Sequence, residues 1–305
     1  MNILVTGITG YVGAALAPRL ARDGHRVRGL SRDPALAPAA DVPVVRGDAL
    51  TGAGLDEALD GVDVAYYLIH AMEASTDGPF AERERRATEN VVQAARRAGV
   101  PRIVYLGGLV PAGAAASPHL ASRLAVEEAL LSELPGSVAL RASIVIGARS
   151  RSFRFLVRLI ERLPVVTLPG WRDNRTRPID GRDVLEYLVR AATLPGAAGR
   201  SLDIAGPDTV TYAELIDKIR DSMLVGRPTL RLGRLTATPL ASRIGALVAG
   251  EAPELIGPLM AGLETDLLPR DDAAADLFGV RLHSFSAAIE RALRDWEAEE
   301  ELAAR

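Results

Sequence analysis

The sequence predicts an α/β chain built on a doubly wound parallel sheet, and three observations predict it. Through about residue 145, short apolar runs alternate with longer periodic segments, the pattern of βαβ units. The strand-like runs read VVR, VAYYL and IVYL with no clean alternation, as strands covered on both faces do. The periodic segments close at Gly24, Gly61, Gly99 and Pro135, residues that stop helices.

In chain order, strands are expected over Asn2 to Thr6, Arg26 to Leu30, Val42 to Arg46, Asp63 to Leu68, Arg102 to Leu106 and Ser137 to Ala142. Helices are expected near Tyr11 to Arg22, Gly54 to Leu59, Pro79 to Arg97 and Pro118 to Leu134. Beyond residue 147 the regularity fades: Arg149 to Arg154 is basic, and Pro164 to Pro178 reads as an extended loop around Trp171. Asp183 is expected to cap a helix running to about Ala192, Ser201 to Ile204 reads as a strand and Tyr212 to Met223 as a helix. Gly226 to Gly262 is rich in Pro, Gly and Leu and matches no repeat, and the tail from Ser284 to Arg305 reads as an amphipathic helix ending in a charged fray of Glu297, Glu299, Glu300 and Glu301. These readings divide the chain into a first domain over residues 1–146, completed by about 181–205, and a smaller lobe with a C-terminal helix over 147–180 and 206–305.

Composition narrows the function. With 305 residues, 48% hydrophobic and 25% charged, the chain can bury a large core. A net charge of −3 supplies no general basic field, which disfavours a nucleic-acid or anionic-membrane partner. No window approaches the roughly 18 apolar residues of a membrane helix, and Met1 leads into a strand with no basic leader, so a cytoplasmic protein is expected. The absence of Cys removes disulfides and thiolate chemistry, and His25, His70, His119 and His283 lack ligand spacing, so no metal site is expected. Lys218 is the single lysine among 36 basic residues, a bias expected of the GC-rich codons of some bacteria.

The sharpest signal is Thr6-Gly7-Ile8-Thr9-Gly10-Tyr11-Val12-Gly13, after the first strand and opening the first helix. Gly7 permits a tight turn, Gly10 lets the backbone approach a pyrophosphate, and Gly13 lets helix and strand pack closely, while the helix start offers unpaired N–H groups to phosphate. The second strand ends in Ser31-Arg32-Asp33-Pro34. Ser31 and Arg32 offer a hydroxyl and a guanidinium fork suited to a 2′-phosphate, which favours NADP(H). Asp33 could reach a ribose hydroxyl, or form a turn before Pro34. Asp48, after the third strand, could meet an adenine amino group or cap the next helix.

With these residues assembled, the chain resembles the short-chain dehydrogenase/reductase superfamily in its extended and atypical branches, and within them the NmrA-like NAD(P)H-binding proteins. The resemblance rests on TGITGYVG (6–13), SRDP (31–34), Gly47-Asp48, YYLIHAM (66–72), ATENVVQAA (87–95), RIVYLGG (102–108), LRASIVIG (140–147), RPIDGRDV (177–184) and DIAGPDTVTYAEL (203–215). It implies a Rossmann-type fold with a smaller C-terminal lobe, and cofactor contacts from Thr6, Gly7, Thr9, Gly10, Tyr11, Val12, Gly13, Ser31, Arg32, Asp48, Leu68, Gly107 and Arg123.

The chain departs from the superfamily where the chemistry sits. A Ser at the end of the fifth strand and a Tyr-x-x-x-Lys on the next helix are usual there; here Gly107 and Gly108 replace the Ser, and His119 and Arg123 replace Tyr and Lys. Arg123 could hold ribose hydroxyls, and His119 titrates near neutrality, although the nearby Arg disfavours its imidazolium. His70 and Ser143, at the ends of the fourth and sixth strands, are further polar groups expected near the nicotinamide; for His119, His70 and Ser143 the alternative is a packing or backbone-bonding residue. Trp171, Phe153 and Phe155 either line a pocket or belong to the core.

The reading that follows is an NADPH-dependent reductase of a ketone or enone on a bulky apolar small molecule, such as a polyketide or isoprenoid, acting without the usual triad as a monomer or homodimer. The alternatives are a non-catalytic NADP(H)-binding redox sensor or scaffold of NmrA type, and an isomerase or epimerase that keeps its cofactor.

Overall fold

The structure is a computed structural model that describes residues 1–37, 41–69, 79–111, 118–163, 165–168, 170–226, 228–231 and 262–300. Seven strands form one parallel sheet: β1 (Asn2–Thr6), β2 (Arg26–Ser31), β3 (Val44–Arg46), β4 (Val64–Tyr67), β5 (Ile103–Gly108), β6 (Val138–Ala142) and β11 (Arg200–Ile204). Their order is β11-β6-β5-β4-β1-β2-β3, so the doubly wound sheet expected from the alternating pattern is present. The order reverses between β1 and β4, which opens a crevice at the carboxyl ends of those strands.

Helices cover both faces because the strands are apolar on both. On one face α1 (Tyr11–Arg22) and α6 (Gly181–Ala191) bury Leu16, Leu20, Val184 and Leu188 against Ile3, Val5 and Val104. The short α8 (Ala273–Phe278) joins them, with Phe278 edge-on to Tyr187 at 5.4 Å. On the other face α2 (Leu55–Leu59), α3 (Phe80–Arg97) and α4 (Pro118–Glu133) pack on Leu4, Ala65, Tyr67 and Tyr105. Truncating one such fully buried leucine costs about 2–5 kcal/mol.

The chain leaves the sheet after β6 and builds a second core from α5 (Arg151–Arg162), α7 (Tyr212–Ser222) and α9 (Phe285–Glu297). Phe153, Phe155 and Trp171 lie in that core. The segment read as an extended loop contains short strands instead, β8 (Val166–Leu168) and β9 (Arg175–Thr176). Two and three residues are too few to show a period of two in sequence. β9 pairs antiparallel with β12 (Val210–Thr211), β8 pairs parallel with β13 (Thr229–Arg231), and β7 (Val145–Ile146) pairs parallel with β10 (Ile179–Asp180).

Two local readings are corrected. The helix over Gly181–Ala191 is capped by Asp180, which accepts from the Arg182 N–H; Asp183, one turn in, accepts instead from the His283 backbone N–H at 2.9 Å. The acidic end of the C-terminal helix is not a fray at Glu299 and Glu300. Glu299 pairs with Arg149 at 2.9 Å, Glu300 pairs with Arg154 and Arg158, and both of those guanidinium groups stack on the Trp296 ring at 4.5 and 5.1 Å. Glu301 and most of the Gly226 to Gly262 segment lie outside the described residues.

A buried ion pair ties the far edge of the sheet to helix α4, and a half-exposed arginine covers its outer strand. Arg141 on β6 donates to both oxygens of Glu127, at 2.8 and 2.6 Å, and Arg270 donates to Asp203 on β11 at 2.9 and 3.0 Å and to the Ser201 carbonyl at 3.0 Å. Arg270 therefore satisfies a carbonyl on the outer edge of strand β11, a position that would otherwise invite a foreign strand.

Candidate active site

The glycine-rich turn is shaped by contacts that admit no side chain. Gly7 adopts φ +66°, and a Cβ there would stand 2.7 Å from the Leu68 carbonyl oxygen, so the turn lies directly on the end of β4. A Cβ on Gly13 would meet the Gly7 carbonyl oxygen at 2.3 Å, which brings the first turn of α1 close onto the loop. Thr6 fixes the same junction from within: its hydroxyl donates to the Tyr66 carbonyl at 2.9 Å and accepts from the Leu68 N–H at 3.2 Å.

Helix α1 begins at Gly10 with no side chain capping it and no acid in its first turn. Its first N–H groups and the positive end of its dipole are therefore open to an anion, with no capping side chain or acid to compete. Thr9 and Gly10 are exposed at this turn, and Val12 packs against the core. These residues fit a dinucleotide pyrophosphate. The Tyr11 side chain turns away from the turn, toward Gly147 and Gly181, and burial together with Asp180 and Asp295 pushes its phenol up to about 12. A cavity of about 290 Å³ opens beside it, lined by Tyr11, Gly147, Asp180, Arg182, Asp295 and Glu299. Its cations are matched, as Arg182 pairs with Asp180 at 2.5 Å.

At the end of β2, Ser31 and Asp33 are bound to each other. The Ser31 hydroxyl donates to the Asp33 carbonyl at 2.8 Å, and the Asp33 carboxylate accepts from the Ala35 N–H at 3.1 Å, capping a short 3₁₀ turn. The turn reading of Asp33 is the one the structure takes up. Arg32 between them is exposed. Asp48 accepts from the Leu50 N–H at 2.9 Å, and Asn90 of α3 holds that loop by donating to the Ala49 and Leu50 carbonyls, each at 2.9 Å. The Asn90 contribution was not read from the sequence, where it is one polar residue on a helix.

The triad region is rebuilt around Arg123. The guanidinium is 5% exposed, donates to the Leu106 carbonyl near the end of β5, lies 3.5 Å from Glu84 and sits 5.1 Å above the Tyr105 ring. Ser122 donates to the other Glu84 oxygen at 2.8 Å, and the Tyr105 hydroxyl donates to the Arg123 carbonyl at 3.1 Å. Arg123 is thus held inward by a buried carboxylate, a partner 39 residues away that no local pattern reveals. A Cβ on Gly107 would come 3.0 Å from the Tyr105 ring. His119 stands on the first turn of α4 with its side chain outside the described residues, and His70 lies outside them altogether. Ser143, just past β6, is buried, and its hydroxyl lies 3.2 Å from that of Thr176.

A glycine turn between the first strand and helix, at the carboxyl edge of a parallel sheet and beside its switch point, defines a dinucleotide-binding α/β protein. Residues 3–205 match the NAD dependent epimerase/dehydratase family, and the chain belongs to that family. It is an oxidoreductase of the extended short-chain dehydrogenase/reductase superfamily, with a nicotinamide dinucleotide as its cofactor. Among similar proteins are the (4-alkanoyl-5-oxo-2,5-dihydrofuran-3-yl)methyl phosphate reductase of Streptomyces griseus, 30% identical with 97% of each chain covered, and the ceramide reductase of Caulobacter vibrioides, 26% identical with 90% of this chain and 88% of that one covered. The UDP-glucuronic acid 4-epimerase of Bacillus cereus, solved with UDP-glucuronic acid and NAD, superposes with a TM-score of 0.73 at 19% identity over 98% of this chain and 99% of that one. That last likeness shows the fold alone. Among the described residues no helix is long and apolar enough to cross a membrane.

Proposed function

We propose that the protein is an NADPH-dependent reductase of a ketone or enone carried on a bulky apolar small molecule. The observation that carries this reading is the likeness, across nearly the whole chain, to the Streptomyces griseus reductase, joined to a glycine turn that fits a dinucleotide. That relative is named for an alkanoyl group, as the similar 2-alkyl-3-oxoalkanoate reductase of Stenotrophomonas maltophilia is for an alkyl group, which supports an apolar chain on the substrate.

When bound, the cofactor supplies the hydride. The chain contributes placement: the α1 start holds the pyrophosphate, Ser31 and Arg32 face the adenosine ribose, and Asp33, spent on its own turn, leaves that position without the acid that would favour an unphosphorylated ribose. NADP(H) is therefore the preferred form. The carbonyl lies at the ends of β5 and β6, beside Gly107, Gly108 and Ser143, where exclusion of water and orientation carry much of the rate. His119 and Ser143 are the candidate hydrogen-bond donors to its oxygen, and Arg123 the candidate group beneath the ribose. The protein works in the cytoplasm.

The two glycines in place of the triad Ser favour a second reading, a non-catalytic NADP(H)-binding sensor or scaffold. Incubating the protein with NADPH and a panel of alkyl β-keto esters and enones separates the two. Steady NADPH oxidation with formation of the alcohol or saturated ketone is expected; tight NADPH binding with no turnover of any member overturns the reductase reading.

A further inference from the structure

Three buried hydroxyl groups lie between the end of the sheet and the C-terminal lobe, two of them in hydrogen-bond contact. The Ser143 hydroxyl, at the exit of β6, lies 3.2 Å from the Thr176 hydroxyl on β9, and Thr176 is fully buried. Beyond Thr176 stands the phenol of Tyr212, the first residue of α7, 2% exposed and packed against the edge of Trp171 with ring centroids 5.9 Å apart at 89°. The Tyr212 hydroxyl has no hydrogen-bond partner in the structure, and Thr176 is the hydroxyl that acts on its phenol. A buried donor without an acceptor calls for a reason.

Strand register locates the line relative to the missing serine. Gly107 pairs with Arg141 and Gly108 with Ala142, so Ser143 is one residue beyond the register partner of Gly108, on the neighbouring strand about 4.8 Å away. It therefore flanks the place that the triad Ser leaves vacant.

We propose that Ser143 donates the proton to the substrate carbonyl oxygen and that Thr176 and Tyr212 act as positioning residues that orient it and resupply that proton. The proposal rests on the reductase reading. A hydroxyl carries one proton and two lone pairs, so a Ser143 that donates outward accepts from Thr176, and a Thr176 so engaged can only accept, with Tyr212 as the donor. Tyr212 has no hydrogen-bond partner of its own, so its proton is available to turn toward Thr176. Burial pushes its phenol up to about 12, so the line keeps its proton at neutral pH. In the reaction the carbonyl carbon accepts the hydride, the C=O π pair moves onto oxygen, and an O–H bond forms there as the Ser143 O–H breaks. Ser143 takes the Thr176 proton, Thr176 takes the Tyr212 proton, and water reprotonates the phenolate after the alcohol leaves.

The test uses Thr176→Val, Tyr212→Phe and Ser143→Ala in the full chain, with Thr176→Ser as the conservative control. With an alkyl β-keto ester that the wild type reduces, Thr176→Val and Tyr212→Phe are expected to lower kcat about 10- to 100-fold, the low end of a proton-transfer contribution. They should also change the solvent deuterium isotope effect, leave KM and NADPH affinity within about twofold of wild type, and be rescued in Thr176→Ser. A second readout needs no turnover: in cofactor-free protein labelled with ¹³Cζ-tyrosine, the Tyr212 resonance, assigned by its loss in Tyr212→Phe, is expected to move in both Thr176→Val and Ser143→Ala. Wild-type kcat and isotope effect in Thr176→Val and Tyr212→Phe, or a Tyr212 resonance unmoved in both other variants, overturn the relay alone. A wild type that binds NADPH and reduces nothing overturns the reductase reading, and the relay with it.

Discussion

The Tyr11 hydroxyl fills the space that a side chain on Gly181 would need: a Cβ there would lie 2.1 Å from the phenol oxygen and 3.2 Å from Cζ. Gly181→Ala is expected to destabilise the fold by about 1–3 kcal/mol through overpacking. Tyr11→Phe in the same chain should recover most of that loss, because a 3.2 Å contact needs only a small adjustment. Gly147→Ala should resist this rescue, since its Cβ would still meet Cζ at 2.6 Å. Urea unfolding of the two double-mutant cycles measures the coupling, and strictly additive losses in the Gly181 cycle would contradict it.

Glu84 is the buried counter-charge of Arg123, and removing it strands a cation 5% exposed. Glu84→Ala is expected to cost about 3–5 kcal/mol in urea unfolding, more than Ser122→Ala, which removes one hydrogen bond worth about 1 kcal/mol. Equal small losses would mean that Arg123 finds its solvation elsewhere.

The His283 ring lies 2.5 Å from the buried Asp183 carboxylate. Burial raises the Asp183 carboxyl above the ordinary value of 3.8, opposed by the His283 N–H and imidazole. Because the folded-state pKa exceeds the unfolded one, the contribution of Asp183 to stability is full below the ordinary carboxylate range and falls as pH rises through the raised value. Removing the imidazole lifts the carboxyl further and enlarges that fall. His283→Ala should therefore cost about 1 kcal/mol near pH 7 and much less near pH 4, a modest figure because the ring is 41% exposed. A loss independent of pH in paired urea titrations would exclude the mechanism.

Arg32→Ala is expected to weaken NADPH binding by about 1–3 kcal/mol while leaving NADH nearly unchanged, the signature of a lost charge-assisted bond to the 2′-phosphate. Calorimetry with both cofactors decides it; equal losses would assign Arg32 to the shared part of the dinucleotide.

The sheet and its glycine turn were legible because their signals are local. TGITGYVG carries the turn, the close approach and the helix start within eight residues, and two-sided burial writes itself into each parallel strand as an apolar run. The errors arise where a distant partner decides. Asp180 and Asp183 are both acids near the start of one helix; that the first caps it is settled by its N–H contact at 2.8 Å, and the second is claimed by a residue 100 positions away. Thr176 carried no signal, since a single threonine in a two-residue strand gains meaning only when the chain folds it beside Ser143, and Tyr212 entered only as one letter of a family motif. The acidic tail looked solvated for the same reason: Arg149, Arg154 and Arg158, which receive it, lie about 150 residues earlier.

Strand β11 pairs with β6, yet it is the last of the seven to be synthesised, with Ala142 ending one and Arg200 beginning the other. At about 5–20 residues per second, translation of the intervening stretch takes roughly 3–12 s. Throughout that interval the nascent chain can hold six strands with an open edge at β6, and Arg141 faces Glu127 without the Asp203 carboxylate that later lies 3.9 Å from it. A ribosome stalled within the lobe would thus present a sticky, unfinished sheet, and the cell's chaperones would meet this protein there first.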